Sequence, residues 1–409
     1  MNSSYDFDAP VNWRSTGSDK WDSVAEGVIP LWVADMDFVS PPELTGVLSA
    51  RASLPFYGYN KRRPAYLEAI AAWYRNQYGV SVDTEDILPG PGTVPSLGMA
   101  VRAFTKSGDG VLVMTPVYTP FFRVIRESGR KVVEAPMELD GGGRFVFDRA
   151  ALERAASAAG GTIPLALFCS PHNPGGRVWA KEEIQSLLDF AQKRNMIVAA
   201  DEIHGDFVYG GSFASGGSSV SGGGGPGFVS TASFPGYAGN VITVSGANKS
   251  FNLGGLHASH MVVRDKTLKA KLRSVLSTGA HHDPDIFAEL AVETCYTKCA
   301  EWFAGLRLYI RKNLEAAAVF LNAIPGIKTW VPGGTYLLWA DARGLIEKTG
   351  CENDGELVRR LEEEAKVKIT GGSMYGKPGE GFVRINAASP RSLLMEGLGR
   401  LEAWAKNKP

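Results

Sequence analysis

Tyr118, Asn173, Asp201 and Lys249 lie far apart in the chain, yet each follows or closes a short apolar run that reads as a β-strand. In a parallel α/β sheet the carboxyl ends of the strands share one edge, and ligands bind in the crevice beyond it. A ring, an amide, a carboxylate and an amine are therefore expected to meet in one pocket. A flat, electron-poor aldehyde needs that set. The ring stacks on it, the amide donates to its phenolic oxygen, the acid faces its ring nitrogen and the lysine condenses with the aldehyde. Pyridoxal 5'-phosphate is the expected cofactor.

Each member has its own context. Lys249 lies in Asn248-Lys249-Ser250-Phe251-Asn252, just ahead of Gly254-Gly255, where backbone can approach a ligand closely. Displaced from the cofactor by a substrate amine, it becomes the base for the α-proton. Asp201 closes its run in Ala200-Asp201-Glu202-Ile203-His204. Keeping a ring nitrogen protonated two units above its ordinary value takes roughly 2.7 kcal/mol. A close ion pair at an effective dielectric near 20 supplies about 4 kcal/mol, so one aspartate suffices. Capping a helix is the competing use of such an aspartate. Asn173 sits in the turn His172-Asn173-Pro174-Gly175-Gly176, where turn formation alone would also favour it. Tyr118, in Thr115-Pro116-Val117-Tyr118, is either the stacking ring or a core residue. Gly92, Thr93 and Val94 precede an apolar helical stretch at 97–104 and suit a phosphate, because N–H groups at a helix start bind anions. Arg384 lies between apolar neighbours in Phe382-Val383-Arg384-Ile385-Asn386 and needs an anion. Its planar fork matches a carboxylate, with a structural ion pair the alternative.

The elements that must position these groups alternate. Apolar runs at 111–115, 164–170, 196–200, 241–245 and 258–264 read as strands covered on both faces, with helices expected at 121–128 and 181–194. Alternation of this kind predicts an α/β fold with a mainly parallel sheet. After Asp283-Pro284 the pattern changes. A long helix is expected at 286–323, a strand at 333–339, a helix at 357–365 and a strand at 381–386. The expected division is an N-terminal segment, 1–45, packing with a small α+β domain, 285–409, and a large domain, 46–284, that binds the cofactor. Positions 210–239, crowded with Gly and Ser, read as a surface insertion in the large domain.

Composition narrows the function. Forty-three basic residues balance 43 acidic ones, so no nucleic-acid partner or electrostatic membrane anchor is expected. No run approaches the roughly 18 apolar residues of a membrane span, and no signal peptide is expected, which makes cytoplasm the expected compartment. Four scattered cysteines fit neither a disulfide framework nor a zinc site, and no metal is expected. Cys295 and Cys299 fit one buried helical face.

Together these segments resemble fold-type I pyridoxal-phosphate enzymes, the aspartate aminotransferase superfamily, along almost the whole chain. In detail Leu31-Trp32-Val33-Ala34-Asp35-Met36-Asp37-Phe38, Thr115-Pro116-Val117-Tyr118, Asp201-Glu202-Ile203-His204 and Lys249-Ser250-Phe251-Asn252-Leu253 are similar to the MalY/PatB-type C–S β-lyases. Ordinary aminotransferases usually carry tyrosine where His204 stands. The resemblance implies a large domain with a mainly parallel seven-stranded sheet and a smaller α+β domain. It implies a homodimer in which Tyr59 reaches the phosphate of the neighbouring subunit's cofactor. Arg384 matches the grip on the substrate carboxylate, Ala34 lines the substrate site, and Ile203 packs under the ring beside His204. Gly246 replaces a phosphate-binding serine of many aminotransferases, which leaves Ser245 or Asn248 to take over. The implied reaction is α,β-elimination from cystathionine or another S-substituted cysteine, giving thiol, pyruvate and ammonia, with Lys249 and Tyr118 as the catalytic pair. An aminotransferase on the same scaffold, or a cofactor-binding regulatory protein, are the alternatives.

Overall fold

The computed structural model describes residues 5–210, 227–279 and 284–408. Of the expected Gly/Ser-rich insertion, positions 211–226 lie outside the described residues, and its last part forms two helical turns, Thr231–Ser233 and Pro235–Asn240.

After a two-residue strand β1 (Ile29–Pro30), seven strands build the main sheet. They are β2 (Ile87–Gly90), β3 (Gly110–Thr115), β4 (Lys131–Pro136), β5 (Leu165–Cys169), β6 (Ile197–Asp201), β7 (Val241–Ser245) and β8 (Ser259–Val262), in the order β2-β8-β7-β6-β5-β3-β4. Five of them, β4, β3, β5, β6 and β7, run parallel to one another, while β8 lies antiparallel between β7 and β2. The period of two along a strand splits each apolar run between two cores. Leu112 and Met114 of β3, and Ala166 and Phe168 of β5, join Ile184, Leu187 and Leu188 of the helix Lys181–Lys193. Val111, Val113, Leu165 and Leu167 face the other way, onto Leu97, Ala100 and Val101 of the helix Thr93–Phe104. That is why these strands read as continuous rather than alternating apolar runs.

A second, four-stranded antiparallel sheet has the order β12-β13-β10-β9, from β9 (Lys328–Thr329), β10 (Leu337–Asp341), β12 (Thr370–Gly371) and β13 (Phe382–Asn386); β11 (Val367–Lys368) pairs with β1 in parallel. The N-terminal segment is strapped to this sheet. Asn386 donates from its backbone N–H to the Leu31 carbonyl at 2.9 Å, and from Nδ2 to the carbonyls of Val33 and Asp35, at 2.7 Å each. A buried ion pair, Lys20 with Asp37 at 2.7 Å, secures the far end of the strap. Removing one partner of such a pair strands a buried charge, at about 3–5 kcal/mol.

Several expectations need correction. The run at 258–264 is a strand, but antiparallel. The stretch 286–323 is two helices, Ile286–Lys298 and Ala300–Asn322, broken at Cys299, where the backbone leaves helical geometry (φ −106°, ψ 20°). The strand expected from 333 begins only at Leu337, because Thr335 takes a left-handed φ of 65°. The helix expected at 357–365 starts earlier, as Asp354–Arg360, and widens over Leu361–Ala365. No helix among the described residues is long and apolar enough to cross a membrane.

Candidate active site

Strands β3, β5, β6 and β7 are successive parallel neighbours, so their carboxyl ends form one edge. Tyr118 follows β3, Asn173 follows β5, Asp201 is the last residue of β6 and Lys249 follows β7. All four line one cavity of about 180 Å³, with Ala34, Gly92, Thr93, Val94, Ile203 and His204 completing much of the wall. Lys249 donates from Nζ to the Ala34 carbonyl at 2.5 Å and stands 3.6 Å from the Asp35 carboxylate. Tyr336 donates to the same carbonyl at 2.7 Å, which fixes the strap over the amine.

Burial sets the protonation of the wall. The Asp201 carboxyl is pushed up to about 7, chiefly by desolvation, against a hydrogen bond from the Ile203 N–H (3.1 Å) and the nearby Lys249 amine. A protonated ring nitrogen facing it would supply the missing countercharge. Burial lowers the Lys249 amine below its ordinary value; the Asp35 carboxylate raises it again in part. Burial also drives the His204 imidazole well below its usual range, so it is neutral, and its Nδ1 has no partner among the described residues. The Tyr118 phenol is raised to about 12 by burial and by Asp201, and stays protonated.

The cavity floor suits an anion. Gly92, in a positive-φ conformation (116°), precedes the helix Thr93–Phe104, whose first turn has no side-chain cap. The buried Thr93 hydroxyl has no partner among the described residues, and neither has Asn248 Oδ1 on the same wall. The exposed helix start and the idle hydroxyl match a phosphate group, while Asp201, Asn173, Tyr118 and Lys249 match the ring and its aldehyde. The residues fit pyridoxal phosphate.

Three expected residues stand outside this wall. Arg384 is buried behind it, donating from Nη1 to Asn173 Oδ1 at 3.1 Å and from Nη2 to the Trp32 carbonyl at 2.8 Å, with Nε lacking a partner among the described residues. Ser245 turns away: its hydroxyl donates to the Glu202 carbonyl at 3.3 Å, so of the two substitutes for the missing serine only Asn248 faces the cavity. Tyr59 is fully exposed and absent from the cavity of its own chain. Sequence reasoning missed Cys169, Pro95 and His257, which also line the wall, as does Gly254, where close approach of backbone to a ligand was expected. Cys169 accepts from the Asn173 N–H at 3.4 Å and so shapes that turn; its place at the end of β5 was the available signal. Among the described residues, no cluster of His, Cys, Asp and Glu could hold a metal ion.

Comparison with known proteins agrees with this geometry. Residues 36–401 match the family described as aminotransferase class I and II. Cystathionine beta-lyase PatB of Bacillus subtilis is 34% identical over 97% of this chain and 99% of its own length. Protein MalY of Escherichia coli is 30% identical over 97% and 98%. Among solved structures, cystalysin from Treponema denticola, which contains a pyridoxal 5'-phosphate cofactor, superposes with a TM-score of 0.89 at 31% identity, over 98% of this chain and 99% of that one. The PLP-bound C–S lyase from Staphylococcus hominis gives 0.88 at 26% identity, over 98% and 99%. The chain belongs to the class I and II aminotransferase family, on the branch that includes these lyases.

Proposed function

We propose that this protein cleaves the C–S bond of S-substituted cysteines, cystathionine first among them, by α,β-elimination. Pyridoxal 5'-phosphate is its cofactor and its substrate is a small amino acid. The observation that carries the reading is that the Lys249 amine and the Asp201 carboxyl share one buried cavity at the strand ends. Relatives named for cystathionine cleavage and C–S lysis support the reaction type.

When bound, the cofactor supplies an aldehyde that condenses with amines and a ring that takes up the electron pair left at the α-carbon. The chain supplies the rest. Asp201 would hold the proton on the ring nitrogen. Asn173, its Oδ1 taken by Arg384, keeps its Nδ2 hydrogens for the phenolic oxygen. Gly92, Thr93, Val94 and Asn248 would hold the phosphate, and Ile203 and Tyr118 would pack against the ring. Lys249, an amine made less basic by burial, accepts the α-proton. The electron pair of the Cα–H bond becomes the second bond between Cα and Cβ as the C–S bond breaks; the C–S pair leaves on the sulfur, and the thiolate takes a proton. With water, the remaining three carbons leave as pyruvate and ammonia. Tyr118 remains a phenol at working pH and assists as a donor rather than as a base. Arg384 directs its remaining donors to the α-carboxylate. The same reading takes 46–284 as the cofactor-binding domain, 285–409 as the small one, and a homodimer in the cytoplasm as the working form, with Tyr59 serving the partner's site.

The test incubates the purified holoenzyme with cystathionine and no keto acid. Thiol and pyruvate should appear together, and Lys249→Ala should lower the rate by about 10²- to 10⁴-fold. Amino transfer seen only when a keto acid is added would overturn the lyase reading.

A further inference from the structure

Two aspartates stand two residues apart on the strap that closes the cavity, and the fold uses them differently. Asp37 is buried and fully engaged: Lys20 Nζ (2.7 Å), Trp21 Nε1 (2.8 Å) and Ser389 Oγ (2.6 Å) all donate to its carboxylate. Asp35 is held through its backbone instead. Its N–H donates to the Val33 carbonyl at 2.9 Å, and its own carbonyl accepts from Asn386 Nδ2 (2.7 Å) and Lys20 Nζ (3.1 Å). The next residue, Met36, is clamped by two 3.0 Å hydrogen bonds to Asn252. The Asp35 side chain is 43% exposed, against 20% for Lys249, and its Oδ1 stands 3.6 Å from Lys249 Nζ. A β-carbon placed on Gly254, part of the cavity wall, would lie 3.9 Å from the same oxygen. The carboxylate therefore stands beside two residues of the cavity wall, Lys249 and Gly254, on a backbone held in place by hydrogen bonds.

We propose that Asp35 is a specificity-determining residue that selects amino acids whose chain beyond the β-sulfur carries a positive charge and disfavours those ending in an anion. This rests on the reading of Lys249 as the reacting amine. In the resting protein the Lys249 ammonium offsets Asp35. Once that nitrogen is bonded to the cofactor, or acts as a neutral base, the offset weakens. The substrate's α-nitrogen must then lie where the amine was, and its side chain must leave past the rim. A carboxylate beside that path attracts a distal ammonium and repels a distal carboxylate. Cystathionine ends in both an ammonium and a carboxylate, so it would have to present the ammonium there and keep the carboxylate away, which places it between purely cationic and purely anionic side chains.

Three L-cysteine derivatives of similar length separate charge from size: S-(2-aminoethyl), S-ethyl and S-carboxymethyl. Each is titrated into the holoenzyme and its Kd read from the change in cofactor absorbance, with thiol release measured separately. The S-(2-aminoethyl) compound should bind at least about tenfold more tightly than the S-carboxymethyl one, with S-ethyl between them. Asp35→Asn should bring the three close together, and Asp35→Lys should reverse the order. A flat order in the unaltered protein overturns the proposal. So does an Asp35→Asn variant that weakens all three by one factor, because Asp35 would then serve only Lys249. Charge-ordered binding without thiol release would support Asp35 as the selector and sink the lyase reading instead.

Discussion

Arg384 donates from Nη1 to Oδ1 of Asn173 at 3.1 Å, joining the middle of β13 to the turn after β5. The contact ties the expected substrate grip to the expected cofactor contact, which sequence reasoning treated as independent. Arg384→Lys keeps the charge but cannot reach both Asn173 and the Trp32 carbonyl. Hydrogen bonds to charged groups contribute about 1.5–3 kcal/mol each, so kcat/KM on a thioether amino acid should fall at least about tenfold. In a double-mutant cycle, Arg384→Ala with Asn173→Ala should cost less than the two single changes added, by about 0.5–3 kcal/mol. Strict additivity in steady-state kinetics would count against the coupling.

The Asp201 carboxyl makes the stability of the cofactor-free protein depend on pH. Its value is about 7 in the fold against 3.8 in an open chain, so between roughly pH 4 and 7 the folded state binds the extra proton. Stability contributed through this group is therefore highest below that window and falls as pH rises through it. Asp201→Asn removes the slope. Cofactor-free Asp201→Asn should be the more stable form at pH 8, by up to about 4 kcal/mol, while losing its grip on the ring nitrogen. Glu202, also raised to about 7 by burial, and the buried neutral His172, lowered to about 4, add slopes of their own. The comparison is therefore the difference between the two proteins' denaturant midpoints from pH 5 to pH 8, where such contributions largely cancel.

Where the chain buries both faces of a strand, the pattern was legible. β3, β6 and β7 fall on the expected runs because each lies between two covering layers. Strand direction was not, since an apolar run at 258–264 carries no mark of direction, and β8 pairs antiparallel with both β7 and β2. β4 escaped notice because it is an edge strand whose side chains are mostly exposed or half-buried, Lys131 and Glu134 among them. The break at Cys299 carries neither glycine nor proline to mark it. In the site, residues at strand ends were readable from position alone. His257 was not, because it enters the wall through a loop, and Ser245 was misplaced because a strand's last side chain can point to either face.

Gly246 stands three residues before Lys249, where a serine would be expected to meet the phosphate. A β-carbon there would come within 3.1 Å of the Ala258 carbonyl oxygen and 3.3 Å of Ser259 Cα, both backbone of the neighbouring segment. Gly246→Ser should therefore crowd the junction of β7 and β8, with a destabilisation of about 1–3 kcal/mol. Cofactor binding should weaken rather than improve, as read by absorbance titration alongside thermal melting. Tighter binding in the serine variant would mean that Asn248 and the start of the helix Thr93–Phe104 leave the phosphate short of donors.

Tyr59 is fully exposed, with Leu54, Phe56 and Tyr57 exposed nearby, an apolar stretch suited to burial against another copy of the chain. If each site takes Lys249 from one subunit and Tyr59 from the other, two defective variants should repair each other. A dimer of one Tyr59→Ala chain and one Lys249→Ala chain contains one site with both residues intact and one with neither. Random re-pairing of equal amounts makes about half the dimers mixed, each with one of two sites restored, so activity should recover to about a quarter of the unaltered level. The mixture is denatured, refolded with cofactor and assayed against each variant alone. Recovery no greater than the average of the two variants would place Tyr59 outside the partner's site.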